Sequence, residues 1–299
     1  MTNTTRVAVL GTGLMGGPIA QNLARAGLEV NVWNRTAEKA QQLAEVGCTP
    51  CNSPRHAAES ADIVLTMLAH AQAVEAAMTA ENGALAAMRP GTPWVQMSTV
   101  GIAGGDRLTD LAQEHDVVYV DAPVMGSRGP AQQAALTILG AAAPAARERC
   151  APVFEAIAAR TLWLADTPGA GTRMKIVMLT WIFPLIEMMG EIITMSKALK
   201  LDPQDTLSLI DNGPVPIPFQ KARMMLAGTF PASHSLNLAG KDMRLVLDAA
   251  ETAGLSLPIS RATTEQFLRA IELGHGTEDV SACVFAVQPS AQAALGREI

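Results

Sequence analysis

Residues 6–33 read RVAVLGTGLMGGPIAQNLARAGLEVNVW, and this stretch decides the fold of the first half of the chain. A short apolar run leads into Gly11, Gly13 and Gly16. A helical pattern then continues to Gly27, and a second apolar run follows at once. The three glycines alone would be weak evidence. A strand before them and a helix after them predict a dinucleotide-binding turn.

Each glycine of the G-x-G-x-x-G pattern has a physical role in such a turn. Gly11 permits the tight exit from the strand, Gly13 leaves room for a pyrophosphate, and Gly16 lets the helix lie against the sheet. The N-terminus of that helix presents unpaired N–H groups and a partial positive charge to the phosphates. The residues assigned to this turn are Gly11, Thr12, Gly13, Leu14, Met15 and Gly16.

The end of the second strand indicates which dinucleotide is bound. It reads WNRT, residues 33–36, without the acidic residue that usually holds the ribose 2′-hydroxyl of NAD. Arg35 can pair with a 2′-phosphate, and Asn34 and Thr36 can donate hydrogen bonds to it. The alternative is an arginine solvated at a strand end. We predict NADP, with NAD the less favoured cofactor. Two further residues assigned to the cofactor site are Met67 and Leu68.

Composition and charge restrict the class of protein. Of 299 residues, 49% are hydrophobic and 17% are charged, which is typical of a globular protein with one or two cores. The net charge of −6 disfavours a nucleic-acid partner. The chain opens with a short polar stretch, residues 1–5, rather than a basic and apolar leader. We therefore expect a cytoplasmic protein.

Residues 176–186, IVMLTWIFPLI, are apolar on every side and could be mistaken for a membrane span. The run is shorter than the ~20 residues that a span needs, contains Pro184 and ends at Glu187. We expect a helix buried between domains or subunits, and no membrane partner.

Two of the four cysteines, Cys48 and Cys51, form a C-x-x-C motif close to His56. A structural zinc site would need a second such pair, and a redox motif would open a helix after a strand. This motif lies between a predicted helix and a predicted strand. We expect these cysteines to be small core residues and expect no metal site.

Short apolar runs alternate with helical patterns through the first half of the chain, and this alternation predicts a mostly parallel, doubly wound sheet. The later strands are predicted at residues 63–67, 94–97, 117–120, 136–139 and 162–164, and the helices at 37–45, 73–78, 104–114 and 144–157. After a Gly- and Pro-rich break at residues 167–171, helical patterns cover 172–199, 238–253 and 259–273.

The predicted fold class is therefore α/β, with an N-terminal Rossmann domain, residues 1–166, and an all-α C-terminal domain, residues 167–299. The second domain begins with a long interdomain helix and is expected to contribute to substrate binding and oligomerisation.

Hydride transfer at a bound nicotinamide also needs a group that exchanges a proton with the substrate oxygen. Lys175 is our candidate because it follows the Gly-rich break at the start of the long apolar helix. Such a position lies near the carboxyl ends of the strands, where ligands bind in these sheets. Partial desolvation would lower the pKa of the lysine toward a useful range. By position alone, a solvated lysine is the more common case.

Ordered motifs along the chain resemble the NAD(P)-dependent β-hydroxyacid dehydrogenase family, which includes 3-hydroxyisobutyrate dehydrogenase and the glyoxylate/succinic semialdehyde reductases. GTGLMGGPIAQNL and VWNRT resemble its cofactor segments in the NADP-preferring form. STV at residues 98–100, DAPVMGSRGPAQQAAL at 121–136, GAGTRMK at 169–175 and GKDMRLVLDAA at 240–250 follow in the family's order.

The resemblance implies the roles of several residues. Lys175 would be the catalytic lysine, and Thr99 would reach the nicotinamide end of the cofactor. Lys241 would approach both cofactor and substrate. Backbone N–H groups of Met125, Gly126 and Ser127 would bind a substrate carboxylate, as a turn-built nest can. Without the resemblance, Lys241 and its neighbour Asp242 would be read as an exposed pair on a helix surface.

Three positions depart from the family pattern and bear on the substrate. Met125 stands where the family commonly has serine, and Met178 and Leu179 stand where it commonly has asparagine. Leu179 lies four residues after Lys175 and so shares its helix face. We expect a less polar pocket and a bulkier or less polar substrate than the family's usual small acids.

Three functions stay open from the sequence. The first is an NADP-dependent oxidoreductase for a β-hydroxyacid, an aldehyde acid or a less polar carbonyl relative. The second is an imine reductase-like enzyme, although such enzymes usually replace the lysine that is retained here as Lys175. The third is a non-catalytic NADP-binding oligomeric protein, which retention of Lys175, Thr99 and Lys241 disfavours. We expect a homodimer or a dimer of dimers because the long apolar helix would be exposed in a single chain.

Overall fold

The first half of the chain folds around a nine-stranded sheet, in a computed structural model that describes residues 4–211 and 216–287. The strands are β1 (Arg6–Leu10), β2 (Glu29–Trp33), β3 (Thr49–Pro50), β4 (Ile63–Thr66), β5 (Pro93–Gln96), β6 (Val118–Asp121), β7 (Val124–Met125), β8 (Leu136–Ala141) and β9 (Ala158–Ala165). Their order is β3-β2-β1-β4-β5-β6-β8-β7, and β9 pairs with β8. Strands β1 to β6 pair in parallel, and only β8 runs antiparallel to β6 and β7.

Helices follow the strands in the first half and make up most of the second half. They are α1 (Gly16–Arg25), α2 (Ala37–Gln41), α3 (Pro54–Ala58), α4 (Ala71–Thr79), α5 (Ile102–Glu114), α6 (Arg128–Gln132), α7 (Pro144–Ile157), α8 (Ala170–Ala198), α9 (Pro203–Asp211), α10 (Pro216–Ala227), α11 (Leu236–Thr252), α12 (Pro258–Ala270) and α13 (Val284–Val287). The described residues from Thr180 onward add one isolated bridge, between Ser235 and Asp279. The predicted α/β class with a helical C-terminal part is confirmed.

Strand β1 shows why the apolar runs of the sequence become central strands. Val7 and Val9 pack into one hydrophobic cluster with helix α1, and Ala8 and Leu10 pack into a second cluster with helices α4 and α5. All four are nearly inaccessible to solvent. A parallel strand that is covered by helices on both faces must be apolar at consecutive positions rather than at alternate ones.

Two predicted elements have different bounds in the structure. The strand predicted at residues 162–164 is β9, Ala158–Ala165. Its first half, AART, contains only small and polar residues, two of them exposed, and so lacks a strong apolar signal. The helix predicted at 37–45 is α2 followed by a 3-10 turn, Gln42–Val46, which ends where Gly47 adopts a left-handed backbone with φ +89°.

The chain divides into two compact units, the first ending at Leu179 and the second beginning at Thr180. The division falls inside helix α8. The domain boundary proposed at residues 166/167 stays a prediction.

Helix α8 is the one described helix that is long and apolar enough to cross a membrane, judged by length and composition alone. Only 7% of its most apolar stretch is buried in the single chain. Val177, Phe183 and Ile186 are each about 60% exposed. The sequence predicted a helix buried between domains or subunits, whereas in the single chain α8 is largely exposed.

In the second unit, one carboxylate organises the loops around helices α10 and α11. Asp279 is fully buried and accepts hydrogen bonds from Lys221 Nζ at 2.8 Å to both oxygens. It also accepts from the backbone and hydroxyl groups of Ser233 and Ser281. Burial opposes ionisation, but the hydrogen bonds from Lys221, Ser281 and Ser233 outweigh it and hold the pKa of Asp279 well below its usual range.

We expect Asp279→Asn to lower the free energy of unfolding by about 3–5 kcal/mol, because it leaves the Lys221 ammonium without its ionic partner. Urea unfolding followed by circular dichroism measures this loss. The wild-type contribution is present above the unfolded-state pKa of about 3.9 and is lost as the pH falls below that value, because the folded-state pKa is depressed.

Asp248→Asn, on the exposed face of helix α11, is the control and should leave the urea midpoint within about 0.5 kcal/mol of wild type. Equal midpoints for Asp279→Asn and the wild-type protein at pH 7 would contradict the role assigned to Asp279.

Candidate functional site

The turn between β1 and α1 is built by backbone contacts that only glycine permits. Gly11 has a φ of +103°, and a Cβ there would collide with the carbonyl oxygen of Met67. A Cβ on Gly16 would collide with the carbonyl oxygen of Gly11. A Cβ on Gly13, in contrast, would meet no atom within 4 Å. Gly11 and Gly16 are therefore needed for packing, whereas Gly13 opens onto free space where a phosphate can approach the backbone.

Polar groups around this turn fit a dinucleotide. The Thr12 hydroxyl is buried and has no hydrogen-bond partner within the part of the chain that the structure describes. The Thr12 N–H donates to Asn34 Oδ1 at 3.1 Å, and Asn34 Nδ2 donates to the Thr36 carbonyl at 3.0 Å. Asn34 thus ties the glycine turn to the end of β2. An unpaired buried hydroxyl beside an open glycine fits a phosphate oxygen.

A cavity of about 530 Å³ extends from the glycine turn along the ends of β2 and β4. Its lining includes these predicted cofactor residues: Gly11, Gly13, Asn34, Arg35, Thr36, Met67 and Leu68. No carboxylate is among the described residues that line it. Lys39, in helix α2, lines it as well, and sequence reasoning missed this residue. The available signal was that Lys39 is a second cation, four residues after Arg35.

A second groove of about 310 Å³ lies on the other side of Gly13. Thr12, Gly13 and Leu14 line it together with Lys39 and Arg128. Leu14 is 72% exposed at this groove. Met15, the remaining residue of the predicted turn, is partly buried against the sheet.

Buried hydrogen bonds hold the loop that follows β5. Gln96, at the end of that strand, accepts from Ser98 N at 2.7 Å and donates to the Ser98 carbonyl at 2.8 Å. Ser98 Oγ in turn accepts from Leu68 N at 2.8 Å. The loop carrying Thr99 is thereby fixed to the end of β4. Gln96 was not identified from the sequence. The only available signal was that it is a polar residue at the end of an otherwise apolar strand.

Lys175 lies in the second turn of α8 and is half-buried. Its Nζ donates to the Val124 carbonyl at 2.7 Å and lies 3.8 Å from Met125 Sδ. Partial burial lowers the pKa of this ammonium below its usual range. Lys175 and Thr99 line the same narrow crevice. The structure therefore brings together the predicted proton donor, the predicted nicotinamide-end residue and the start of the predicted substrate segment.

The other predicted substrate residues lie on three different segments of the chain. Met125 ends the short strand β7, and a left-handed turn begins at Gly126, with φ +121°. Ser127 is exposed immediately before α6. Leu179 follows Lys175 by one turn of α8. Lys241 lies in α11 of the second unit, and its role toward the cofactor stays a prediction.

The C-x-x-C motif has no features of a reactive site. Cys48 and Cys51 are both buried, each in a different hydrophobic cluster. Burial raises the pKa of the Cys48 thiol to about 11, so the nucleophilic thiolate is rare at neutral pH. Within residues 4–211 and 216–287, no group of three or more His, Cys, Asp or Glu side chains could hold a metal ion.

Two family models match consecutive parts of the chain. The model described as the NAD binding domain of 6-phosphogluconate dehydrogenase matches residues 6–165. The model described as NAD-binding of NADP-dependent 3-hydroxyisobutyrate dehydrogenase matches residues 169–287. With the glycine turn and cavity, they define a nicotinamide-dinucleotide-dependent oxidoreductase.

Similarity to individual proteins extends over nearly the whole chain. Glyoxylate/succinic semialdehyde reductase 2 of Arabidopsis thaliana is 31% identical, covering 95% of this chain and 80% of that protein. The structure of 3-hydroxyisobutyrate dehydrogenase from Mycobacterium tuberculosis is 26% identical over 96% of this chain and all of that one, with a TM-score of 0.63. An imine reductase from Pseudomonas sp. shares the fold at 22% identity over 96% of this chain and all of that one, with a TM-score of 0.87. The chain belongs to the β-hydroxyacid dehydrogenase family.

Proposed function

We propose that the protein is an NADP-dependent reductase that acts on an aldehyde acid, a β-hydroxyacid in the reverse direction, or a bulkier and less polar carbonyl compound. The observation that carries the proposal is the half-buried ammonium of Lys175 in a crevice shared with Thr99. A lysine with a lowered pKa beside the predicted nicotinamide end is suited to proton transfer at the substrate oxygen.

The residues that would hold the cofactor are those of the glycine turn and of the cavity beside it, together with Thr99. When bound, the nicotinamide supplies a hydride to a carbonyl carbon or accepts one from an alcohol carbon. Lys175 donates a proton from Nζ to the carbonyl oxygen and then regains a proton from solvent. In the oxidative direction, neutral Lys175 takes the hydroxyl proton.

The proposed preference for a less polar substrate rests on the atoms next to the lysine. Met125 places a thioether, rather than a hydroxyl, 3.8 Å from Lys175 Nζ. Leu179 stands one turn further along α8, where an amide would otherwise offer a polar anchor. A lost hydrogen bond to a charged group costs about 1.5–3 kcal/mol, so a small acid would bind roughly 10- to 100-fold more weakly than to a polar pocket.

The test is NADPH oxidation by the purified protein with a panel of aldehyde acids, bulkier aldehydes, ketones and cyclic imines. We expect turnover of one carbonyl class, and Lys175→Ala should reduce kcat by about 100-fold or more because the proton donor is lost. In the oxidative direction, kcat should rise with pH through a pKa below that of an ordinary lysine, because the neutral form is the base.

Lys197→Ala is the control, since Lys197 is an exposed lysine on the same helix. Turnover of cyclic imines alone would favour the imine reductase-like alternative. Tight NADPH binding without turnover of any compound would favour the non-catalytic alternative.

NADP is proposed as the cofactor because the cavity at the end of β2 is lined by Arg35 and Lys39. Two cations favour a 2′-phosphate, and the lining contains no carboxylate, within the described residues, that could hold the 2′-hydroxyl of NAD. The second family model is also described by an NADP-dependent enzyme.

We expect Arg35→Asp to raise the dissociation constant of NADPH by about 10- to 100-fold and to change that of NADH much less, because only NADPH carries the 2′-phosphate. Fluorescence titration measures both constants. Arg160→Asp, at the opposite edge of the sheet in β9, makes the same charge change and should leave both constants unaltered. Equal weakening of the two dinucleotides by Arg35→Asp would contradict the NADP assignment.

A homodimer, or a dimer of dimers, is proposed because α8 presents its apolar side chains to solvent in the single chain. Trp181 is 47% exposed, and Phe183 and Ile186 are 60% and 61% exposed. An apolar surface of this kind usually marks a contact with a further molecule. We propose a second copy of this chain as the partner, because most soluble oligomers are closed assemblies of identical chains.

Light scattering coupled to size-exclusion chromatography should give two or four times the chain mass of 31.4 kDa. Phe183→Asp should shift the protein toward the single-chain mass, because it places a charge in the apolar contact. A wild-type protein that elutes and scatters as a single chain would overturn the proposed assembly.

A further inference from the structure

Asp121 is a buried carboxylate that the proposed chemistry does not use. It is the last residue of β6 and is 1% exposed. Its Oδ2 accepts hydrogen bonds from the backbone N–H groups of Gly169 and Thr172, both at 2.9 Å. Its Oδ1 accepts from the Thr172 hydroxyl at 2.7 Å. All three donors lie at the start of α8, the helix that carries Lys175.

These contacts make Asp121 the N-terminal cap of α8, supplied by a strand 48 residues earlier in the chain. The first N–H groups of a helix have no partner within the helix, and a carboxylate there also interacts favourably with the helix dipole. Gly171 allows the helix to sit directly on the sheet, because a Cβ at that position would collide with the Leu139 carbonyl oxygen. The rotation and height of the first turn of α8 are thereby set by the sheet.

The same short segment of chain holds α8 at a second point. Val124, three residues after Asp121, accepts the hydrogen bond from Lys175 Nζ at 2.7 Å. Asp121 accepts hydrogen bonds from the backbone of the first turn of α8. Val124 accepts one from the side chain of Lys175, in the second turn. Residues 121–124 therefore hold Lys175 by two contacts, the Asp121 cap and the Val124 carbonyl. Without the Asp121 cap, the ammonium of Lys175 could shift within its crevice.

We propose that Asp121 is a positioning residue, which caps α8 and so fixes Lys175 Nζ where it can exchange a proton with the substrate oxygen. This inference rests on the proposed function for the role of Lys175, although the cap itself is a structural fact. Asp121 is buried and bonds to the start of α8, so its proposed effect on Lys175 is exerted through that helix. Misplacement of a reacting group by about 1 Å can cost on the order of 100-fold in rate.

A graded set of variants separates positioning from general stability. Thr172→Val removes one of the three hydrogen bonds at nearly constant volume, and Thr172→Ser restores the hydroxyl. Asp121→Asn keeps an oxygen for the two backbone N–H groups, and Asp121→Ala removes the cap. Asp62→Asn is the control, because Asp62 also accepts a backbone N–H but directly precedes β4, at the amino ends of the parallel strands and away from the carboxyl ends that carry the site.

We expect Asp121→Ala to lower kcat by about 30- to 100-fold, and Thr172→Val by about 5- to 20-fold, with little change in the dissociation constant of NADPH. Thr172→Ser should return kcat to within about twofold of wild type. The pKa of Lys175, measured by the pH dependence of its acetylation and mass spectrometry, should rise toward the ordinary lysine value as the side chain leaves its crevice.

The proposal is overturned if Asp121→Ala and Thr172→Val lower the melting temperature but leave two quantities equal to those of the Asp62→Asn control. These quantities are kcat and the pKa of Lys175 obtained from its acetylation. Should Asp121→Ala fail to fold, Thr172→Val decides by the same two readouts. If the wild-type protein turns over no carbonyl compound, the proposed function fails. The pKa of Lys175 obtained from its acetylation then still reports whether Asp121 positions this lysine. Failure of the proposed function can therefore be distinguished from failure of the positioning role.

Discussion

Parallel pairing of the central strands places their carboxyl ends at one edge of the sheet, and each component of the first-unit site is carried by one of those ends. Gly11 follows β1, Asn34 follows β2, Met67 follows β4 and Thr99 follows β5, while Val124 lies just beyond β6. Lys175 is the exception, because it lies on helix α8 and meets this edge through the Val124 carbonyl. An antiparallel arrangement would send alternate ends to the opposite edge. Parallel pairing thus brings residues that are more than a hundred positions apart in the sequence to the same edge of the sheet.

Buried hydrogen bonds turn this edge into a rigid frame. Gln96 and Ser98 bond to each other and to the end of β4, and Asp121 bonds to the start of α8 through Thr172. A polar group that is buried without a partner costs about 1–3 kcal/mol, so these groups hold their neighbours strongly. Among the described residues, the Thr12 and Tyr119 hydroxyls are buried without a hydrogen-bond partner. Thr12 lies in the glycine turn, where a phosphate is the partner that would satisfy it.

The surroundings of Lys175 combine two opposing influences on its charge. Partial burial disfavours the ammonium, and the hydrogen bond that the Val124 carbonyl accepts from Nζ favours it. Met125 contributes a thioether where a hydroxyl would solvate the lysine better. A lysine that gives and takes a proton readily needs this balance, because a fully solvated ammonium is too weak an acid near neutral pH.

The glycine turn, strands β1 and β2 and the doubly wound sheet could be predicted from the sequence, because local periodicity and the conformational freedom of glycine determine them. Lys175 was selected by its place after the Gly-rich break and by the family resemblance, and its catalytic role stays a prediction. The extent of β9 could not, since a partly exposed edge strand lacks a continuous apolar run. Lys39 and Gln96 were not identified because neither belongs to a local motif: Lys39 lines the cavity from helix α2, and Gln96 lies at the end of β5. The contacts of Lys175 with Val124 and of Asp121 with Thr172 join residues 51 apart in each case. Only the tertiary structure decides such pairs, because side-chain chemistry shows which groups can bond and chain folding determines which of them meet.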